Sequence, residues 1–142
     1  MKEVYKVGFT TLSTALIYLL GGLDIALQSL LVFIIVDYLT GIAKSYVSAS
    51  LNSQKGLKGI VKKLGILCLV IVATILDRMA GDTGLIRTTI IYYLVANEGL
   101  SILENLAQMD LVVPEFLKKR LEQVKQQAEE GVTDEDKNRK AS

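Results

Sequence analysis

The most constraining feature of this chain is a long, almost uncharged stretch near its amino terminus. Residues 7–36 carry a single charge, that of Asp24. One helix from Val7 to Ile42 would be about 50 Å long at about 1.5 Å per residue, whereas the hydrocarbon core of a bilayer is roughly 30 Å thick. The pair Gly21-Gly22 just before Asp24 predicts an exposed turn. The stretch is therefore expected to form a hairpin of two short membrane helices, over 7–23 and 25–42.

Residues 43–63, which follow this hairpin, carry lysine as their only charged residue type. Lysines without acids in a short loop favour the cytoplasmic side of a membrane, so we predict a basic cytoplasmic loop that sets the topology. With Lys118-Lys119-Arg120, the same lysines offer charge for anionic lipid headgroups as an alternative role. The Gly56-x-x-Gly59 spacing lacks the Gly-Lys-Ser/Thr ending of a phosphate loop, so we interpret these glycines as flexible positions within the loop. The five loop residues are Lys44, Lys55, Lys58, Lys62 and Lys63.

Two further apolar runs are predicted to cross the bilayer, over 60–79 and 85–106. The first reaches a spanning length if Lys62 and Lys63 extend their ammonium groups to the headgroups. The second contains three charged residues, so an arrangement with three spans stays open. Four crossings place both termini and the lysine loop on one side, with 14 of the 16 Lys and Arg residues. That asymmetry favours cytoplasmic termini.

The last third of the chain has the composition of a segment in water. Pro114 suits the first turn of a helix, and apolar residues then recur at helical spacing among charged ones. We predict an amphipathic cytoplasmic helix over 110–130 and a disordered tail over 131–142. Together with a membrane domain over 1–109, the predicted fold is all-α: a small integral membrane protein of four short transmembrane helices, or three, plus this helix.

Composition argues against several functions. The chain has no His and a single cysteine, Cys68, which we interpret as a small buried hydrophobe. A histidine zinc site, a disulfide framework and a His-based acid or base are thereby excluded. The net charge of +1 gives no reason to expect nucleic-acid binding. We predict no catalytic residue, no cofactor and no metal.

Acidic side chains inside apolar stretches are the best candidate functional residues, because an ionised group in a membrane is costly. Asp37 and Glu98 each have apolar residues on both sides. Asp37 could pair with Lys44, with another lysine of the loop or with a neighbouring subunit, and each acid has either a packing role or a place along a polar path. Gly41, Ser45 and Ala49 recur every four residues and give one face on which another helix can approach closely.

Four separated motifs give the chain a family resemblance. They are DYLTG at 37–41, NSQKGLKGIVKK at 52–63, ANEGLSILEN at 96–105 and VPEFL at 113–117. In this order they resemble the phage holins of the toxin secretion/phage lysis type, a group that includes a clostridial toxin-release holin. The resemblance covers about residues 25–125 and leaves out the first helix and the tail.

The resemblance implies a homo-oligomeric protein of the bacterial cytoplasmic membrane. Such a protein forms lesions that release a muralytic endolysin, or a large toxin in some relatives, and it times lysis of the host cell. The resemblance supplies no catalytic residue, and it adds Asn105 to the candidates. The candidate helix-packing or pore-lining residues are Asp37, Gly41, Ser45, Glu98 and Asn105.

Three other interpretations remain open at this point. A small homo-oligomeric transporter of four helices would couple proton and substrate movement through an intramembrane carboxylate. A membrane anchor would recruit a partner through the carboxy-terminal helix. A soluble helical bundle would have to bury residues 7–36 in a chain this small, which is difficult.

Overall fold

The fold is entirely helical over the residues that the structure describes. The computed structural model describes residues 1–50 and 52–140, and for residues 132–140 it describes the backbone alone. The five helices are α1 (Lys2–Leu19), α2 (Ile25–Val47), α3 (Ser53–Met79), α4 (Leu85–Ala107) and α5 (Glu115–Lys140). No strand occurs among the described residues. The expected all-helical class is confirmed.

The chain turns between α1 and α2 where the glycine pair predicts a break. Gly21 and Gly22 have φ of +83° and +99°, values that glycine adopts readily and residues with a Cβ do not. Asp24 then caps α2, since its Oδ1 accepts a hydrogen bond from the Leu27 amide at 2.9 Å. The uncharged stretch is therefore broken into two separate helices, but α1 and α2 do not pack against each other as the expected hairpin would; α1 contacts α3 instead.

The predicted loop over 43–63 is wrong in its extent. α2 continues to Val47 and α3 begins at Ser53, so the connection is residues 48–52, of which residue 51 lies outside the described part. The side chain of Asn52 caps α3 by accepting from the Gln54 amide at 2.8 Å. Lysine is a good helix former, and the two glycines cost too little to keep this segment unwound. Four of the five predicted loop lysines thus lie on α3 and the fifth on α2.

The core forms where α4 packs against α2 and α3. α1 has no buried residue and touches only α3. α2 and α3 are each long and apolar enough to cross a membrane, by length and composition. Cys68 is exposed on α3, so the expectation that it is buried is wrong. The buried apolar cluster consists of Leu20, Leu27, Leu30, Ile66, Val70, Ile91 and Leu94.

The last helix lies along α4 in the opposite direction. The methyl groups of Leu121 lie over Gly99, and Ala128 is buried further along. Lys125 reaches Asn97, with 3.4 Å between Nζ and Oδ1. α5 continues to Lys140, whereas the sequence predicts disorder from residue 131. This part contains no proline and many charged helix formers, which the single Gly131 does not interrupt. Residues 141 and 142 of the predicted tail lie outside the described residues.

Candidate functional site

A cluster of charged side chains lies between α2, α3 and α4. Lys63 Nζ is 2.5 Å from Asp37 Oδ2, and the same ammonium group donates to Glu98 Oε2. Asp37 and Glu98 are buried, with 8% and 1% of their surfaces exposed. Buried carboxylates require a partner, and here one lysine serves two acids. We call Asp37, Lys63, Glu98 and Asn105 the carboxylate cluster.

Asn105 extends this cluster from the far end of α4. Its Nδ2 donates to Asp37 Oδ1 at 3.1 Å and contacts Thr40 Oγ1 at 3.2 Å. A methyl group at Gly41 would lie 3.7 Å from the same nitrogen, so the small residue lets α4 approach α2 closely. Ser45 Oγ donates to the carbonyl of Gly41 at 2.9 Å and stays outside the cluster. The structure thus brings together three of the five candidate residues and places Gly41 beside them.

The sequence alone left the partner of Asp37 open. Among Lys44, the other lysines of 43–63 and a neighbouring subunit, the structure selects Lys63. The pairing depends on α3 beginning at Ser53, because a loop over 43–63 would give Lys63 no fixed position. Lys63 therefore has a role within the bundle in addition to its predicted contribution to topology.

A cleft of about 380 Å³ opens beside the carboxylate cluster, at the carboxyl end of α2 and the amino end of α3. Tyr38 lies against the backbone of α3 there: methyl groups at Gly56 and Gly59 would lie 3.9 and 3.7 Å from its side chain. Four lysines line the cleft, together with Ser45, Ser50 and Asn52. Lys58 is not among the lining residues. We call this space the lysine cleft, and its lysines are Lys44, Lys55, Lys62 and Lys63.

A second polar cluster lies at the opposite end of α2. The guanidinium of Arg87 donates to Asp24 at 2.6 Å from Nη1 and at 3.3 Å from Nη2. It also donates to the carbonyls of Leu20 and Gly22, at 2.7 and 3.0 Å. Arg87, on α4, thereby closes the turn between α1 and α2. We call Asp24, Asp77 and Arg87 the arginine cluster.

Asp77 completes the arginine cluster from the end of α3. Its buried carboxylate accepts from the backbone amides of Ile86 and Arg87, at 3.2 and 2.6 Å. It also accepts from Thr83 Oγ1 at 3.3 Å. One acid therefore caps the first turn of α4 and fixes the turn between α3 and α4. No local sequence pattern indicates this capping, because Asp77 precedes the two backbone donors by nine and ten residues.

Arg87 also sets the protonation of Asp24. Its hydrogen bond is the largest influence on that carboxyl group, and it holds the pKa below the usual value of 3.8. Burial acts in the opposite direction, while the hydrogen bond from the Leu27 amide reinforces the lowering. Asp24 is thus not simply an exposed turn residue, although its side chain is 49% accessible.

The neighbouring Arg78 fastens the end of α1. Its Nη2 donates to the carbonyl of Tyr18 at 2.7 Å, and its guanidinium carbon lies 4.2 Å from the centre of the Tyr18 ring. Such a cation–π contact adds to the hydrogen bond. Because α1 has no buried residue of its own, its carboxyl end is held against the bundle by this contact, by those of Arg87 and by burial of Leu20, the residue that follows the helix.

The sequence matches one protein family over most of its length. Residues 14–126 match the bacteriophage holin family. A probable holin of Bacillus phage phi105 is 35% identical over 113 residues, which are 80% of this chain and 83% of the phage protein.

Bacterial proteins are similar over a comparable length. An uncharacterized 14.9 kDa protein from the nagH 3' region of Clostridium perfringens is 46% identical over 120 residues, covering 84% of this chain and 91% of that protein. The uncharacterized protein YqxH of Bacillus subtilis is 36% identical over 131 residues, or 92% of this chain and 93% of its own length. No solved structure matches the chain.

Proposed function

The chain belongs to the bacteriophage holin family, and from this premise we propose that it assembles in the bacterial cytoplasmic membrane into lesions that release a muralytic enzyme. The family match over residues 14–126 is the observation that carries this proposal. We propose that the released enzyme is an endolysin and that its release times lysis of the host cell. A large toxin is the alternative cargo. The protein itself acts without a catalytic residue or cofactor.

The exposed surface of the bundle supports a membrane location. α2 and α3 present large apolar side chains outward, among them Val32, Ile35, Leu69 and Val72, each more than half exposed. α1 is likewise exposed along nearly all of its length, and it carries no charge beyond Lys6. Contact with hydrocarbon chains would cost such a surface no free energy, whereas exposure of the same surface to water is unfavourable.

We extend the two candidate spans to the four-span topology predicted from the sequence. α1 and α4 are the additional crossings, and both termini lie in the cytoplasm with most of the basic residues. The arginine cluster then lies near the outer face, and the lysine cleft near the cytoplasmic face. Asp24, the N-cap of α2, and Asp37 are 13 residues apart, or about 20 Å of helix. This distance is shorter than the thickness of the bilayer core, so the two clusters can lie at different depths of one bilayer.

This topology requires α5 to leave α4. α5 is rich in charged residues, and its contacts with α4 extend from Gly99 back toward Thr89. A charged helix held at that depth would be costly in hydrocarbon. We therefore propose that the packed form precedes full insertion, and that release of α5 frees the covered face of α4 for lipid or for a second copy of the chain.

Assembly of copies would bring the polar groups of the bundle toward protein or toward an aqueous lumen. In the single chain, Asp37 and Glu98 are satisfied by Lys63 inside the bundle. A shift of α3 relative to α2 and α4 would separate Lys63 from the acids and offer them to water. The acids are thus proposed to stabilise the closed chain first and to line the lesion afterwards.

Induced expression in a bacterium tests the function, with viable count and membrane potential followed in time. The proposal predicts a delayed and abrupt loss of potential, followed by lysis only when a muralytic enzyme without a signal peptide is also present. No loss of viability at a confirmed membrane level would refute it. Saturable flux of a small solute without lysis would favour the transporter instead, and recruitment of a partner without toxicity would favour the anchor.

A further inference from the structure

The lysine cleft has an excess of positive charge that the bundle itself does not use. Lys63 is bound by Asp37 and Glu98, but among the described residues the ammonium groups of Lys44, Lys55 and Lys62 have no ion pair or hydrogen bond. Counting the two acids against the four lysines leaves two positive charges around one space. With two uncompensated positive charges in its lining, the cleft is suited to a negatively charged ligand.

The uncharged lining of the cleft suits an oxyanion. Ser45, Ser50 and Asn52 line the cleft. The Ser45 hydroxyl already donates to the Gly41 carbonyl, whereas the amide nitrogen of Asn52 is a further donor in the lining and the Ser50 hydroxyl, which shares a hydrogen bond with Ser48, can turn to donate. Gly56 and Gly59 add no side chain to the lining, and Tyr38 lies against them. A volume of about 380 Å³ lies within the range of small-ligand sites.

We infer that the lysine cleft binds a phosphate group, either the phosphodiester of an anionic phospholipid headgroup or free phosphate. Lysine ammonium groups and hydroxyl donors are common phosphate ligands. The cleft also lies at the ends of the two helices that are long enough to cross a membrane, where headgroups would be found. In other membrane proteins, basic pockets between transmembrane helices bind anionic headgroups of this kind.

Binding would tie α2 to α3 at the cytoplasmic end of the bundle. Lys44 is on α2, whereas Lys55 and Lys62 are on α3, so one phosphate between them contacts both helices. The carboxylate cluster connects the same two helices from inside the bundle. A phosphate bound in the cleft would therefore hold α2 and α3 together at a second place, next to the carboxylate cluster.

Titration of the purified full chain in micelles, followed by native mass spectrometry, tests this inference independently of lysis. The probes are dioctanoyl phosphatidylglycerol, dioctanoyl phosphatidylcholine, glycerol 3-phosphate and inorganic phosphate. Phosphatidylglycerol is expected to bind at one saturable site, at least tenfold more tightly than phosphatidylcholine. Competition by inorganic phosphate at a similar concentration would identify free phosphate as the source, whereas its failure to compete would identify the lipid headgroup.

Two sets of variants separate the cleft from general surface charge. Combined K44Q, K55Q and K62Q are expected to weaken binding at least tenfold, and Ser45→Asp should do the same by adding a negative charge to the wall. The matched control, K58Q with K118Q and K119Q, removes equal charge outside the cleft and should change binding less than twofold. Equal losses in both triple variants, or no saturable site for any phosphate probe, would overturn the inference.

Discussion

Arg87 Nη1 and Asp24 Oδ2 are 2.6 Å apart, although the two residues are 63 positions apart in the chain. Through this contact α4 holds the turn that begins α2, and the same arginine binds the carbonyl groups at the end of α1. The relationship makes three helices depend on one guanidinium group. Its consequences can be measured in the turn itself and in the response of the protein to pH.

Alanine at Gly21 should destabilise the fold more than alanine at Gly22. Both positions have positive φ, which costs a residue with a Cβ about 1–2 kcal/mol. A Cβ at Gly21 would also lie within 2.7 Å of Arg87 Cδ, while one at Gly22 meets nothing within 4 Å. We expect Gly21→Ala to exceed Gly22→Ala by about 1–3 kcal/mol in free energy of unfolding, measured by titration with denaturing detergent. Equal losses would show that Arg87 moves aside freely.

Acid should weaken the fold through Asp24. Because Arg87 lowers the pKa of this carboxyl group in the folded chain, its stabilisation is complete above the usual pKa of 3.8 and is lost as the pH falls below it. The side chain is 49% accessible, so the effect should stay under about 1 kcal/mol. The difference in stability between the wild type and Asp24→Asn should therefore shrink as the pH falls from about 5 to below about 3.8. A difference that stays constant across this range would contradict the assignment.

Removal of the shared lysine should be among the most damaging single changes in the bundle. Lys63→Met leaves the buried Asp37 and Glu98 without a cation, which costs about 3–5 kcal/mol for a buried pair. Lys58→Met, on the same helix but exposed, is the control and should change stability by less than about 0.5 kcal/mol. Thermal unfolding in micelles gives the comparison.

Neutralising the acids tests whether charge causes that loss. If it does, adding Asp37→Asn and Glu98→Gln to Lys63→Met should recover a substantial part of the stability, because no uncompensated charge remains at these three positions.

Glu98→Gln alone should shift the time of lysis and the size of the oligomer, because Glu98 is proposed to line the lesion. Unchanged timing and size would remove Glu98 from the proposed lesion.

Linking α5 to α4 should block lesion formation. Cysteines at Asn97 and Lys125, whose side chains meet at 3.4 Å, can be joined by a cleavable bis-maleimide after Cys68, itself exposed, is changed to Ser. Vesicles containing the linked protein should retain an entrapped dye, and cleavage of the linker should release it. Each single-cysteine variant, treated in the same way, is the control. Leakage from the linked form would show that α5 need not leave α4.

The parts of the fold that depend on local chemistry could be predicted from the sequence. The glycine pair at 21–22 marks the turn before α2, and Pro114 marks the beginning of α5. The predicted loop over 43–63 is wrong because lysines indicate the preferred side of a membrane and say little about helix content. Its helical form follows from the Asn52 cap and from packing against Tyr38, and that packing depends on the fold.

The partners of charged side chains are the part that the sequence left undetermined. Asp37, Glu98 and Asn105 were candidates, and the structure places them together. Arg87 and Asp77 were not, since their contacts join residues that are 6 to 67 positions apart and have no local motif. Pairing of this kind is decided by how the helices pack, after their individual bounds are set.

Release of solutes of graded size from vesicles tests the central claim most directly. Vesicles containing the purified chain and loaded with both a small dye and a folded muralytic enzyme should release the two together once lesions form. The account predicts simultaneous loss of both, with a rate that rises steeply with the amount of protein per vesicle. Release of the dye while the enzyme is retained, at every protein density, would contradict the proposal that the chain forms lesions for a muralytic enzyme.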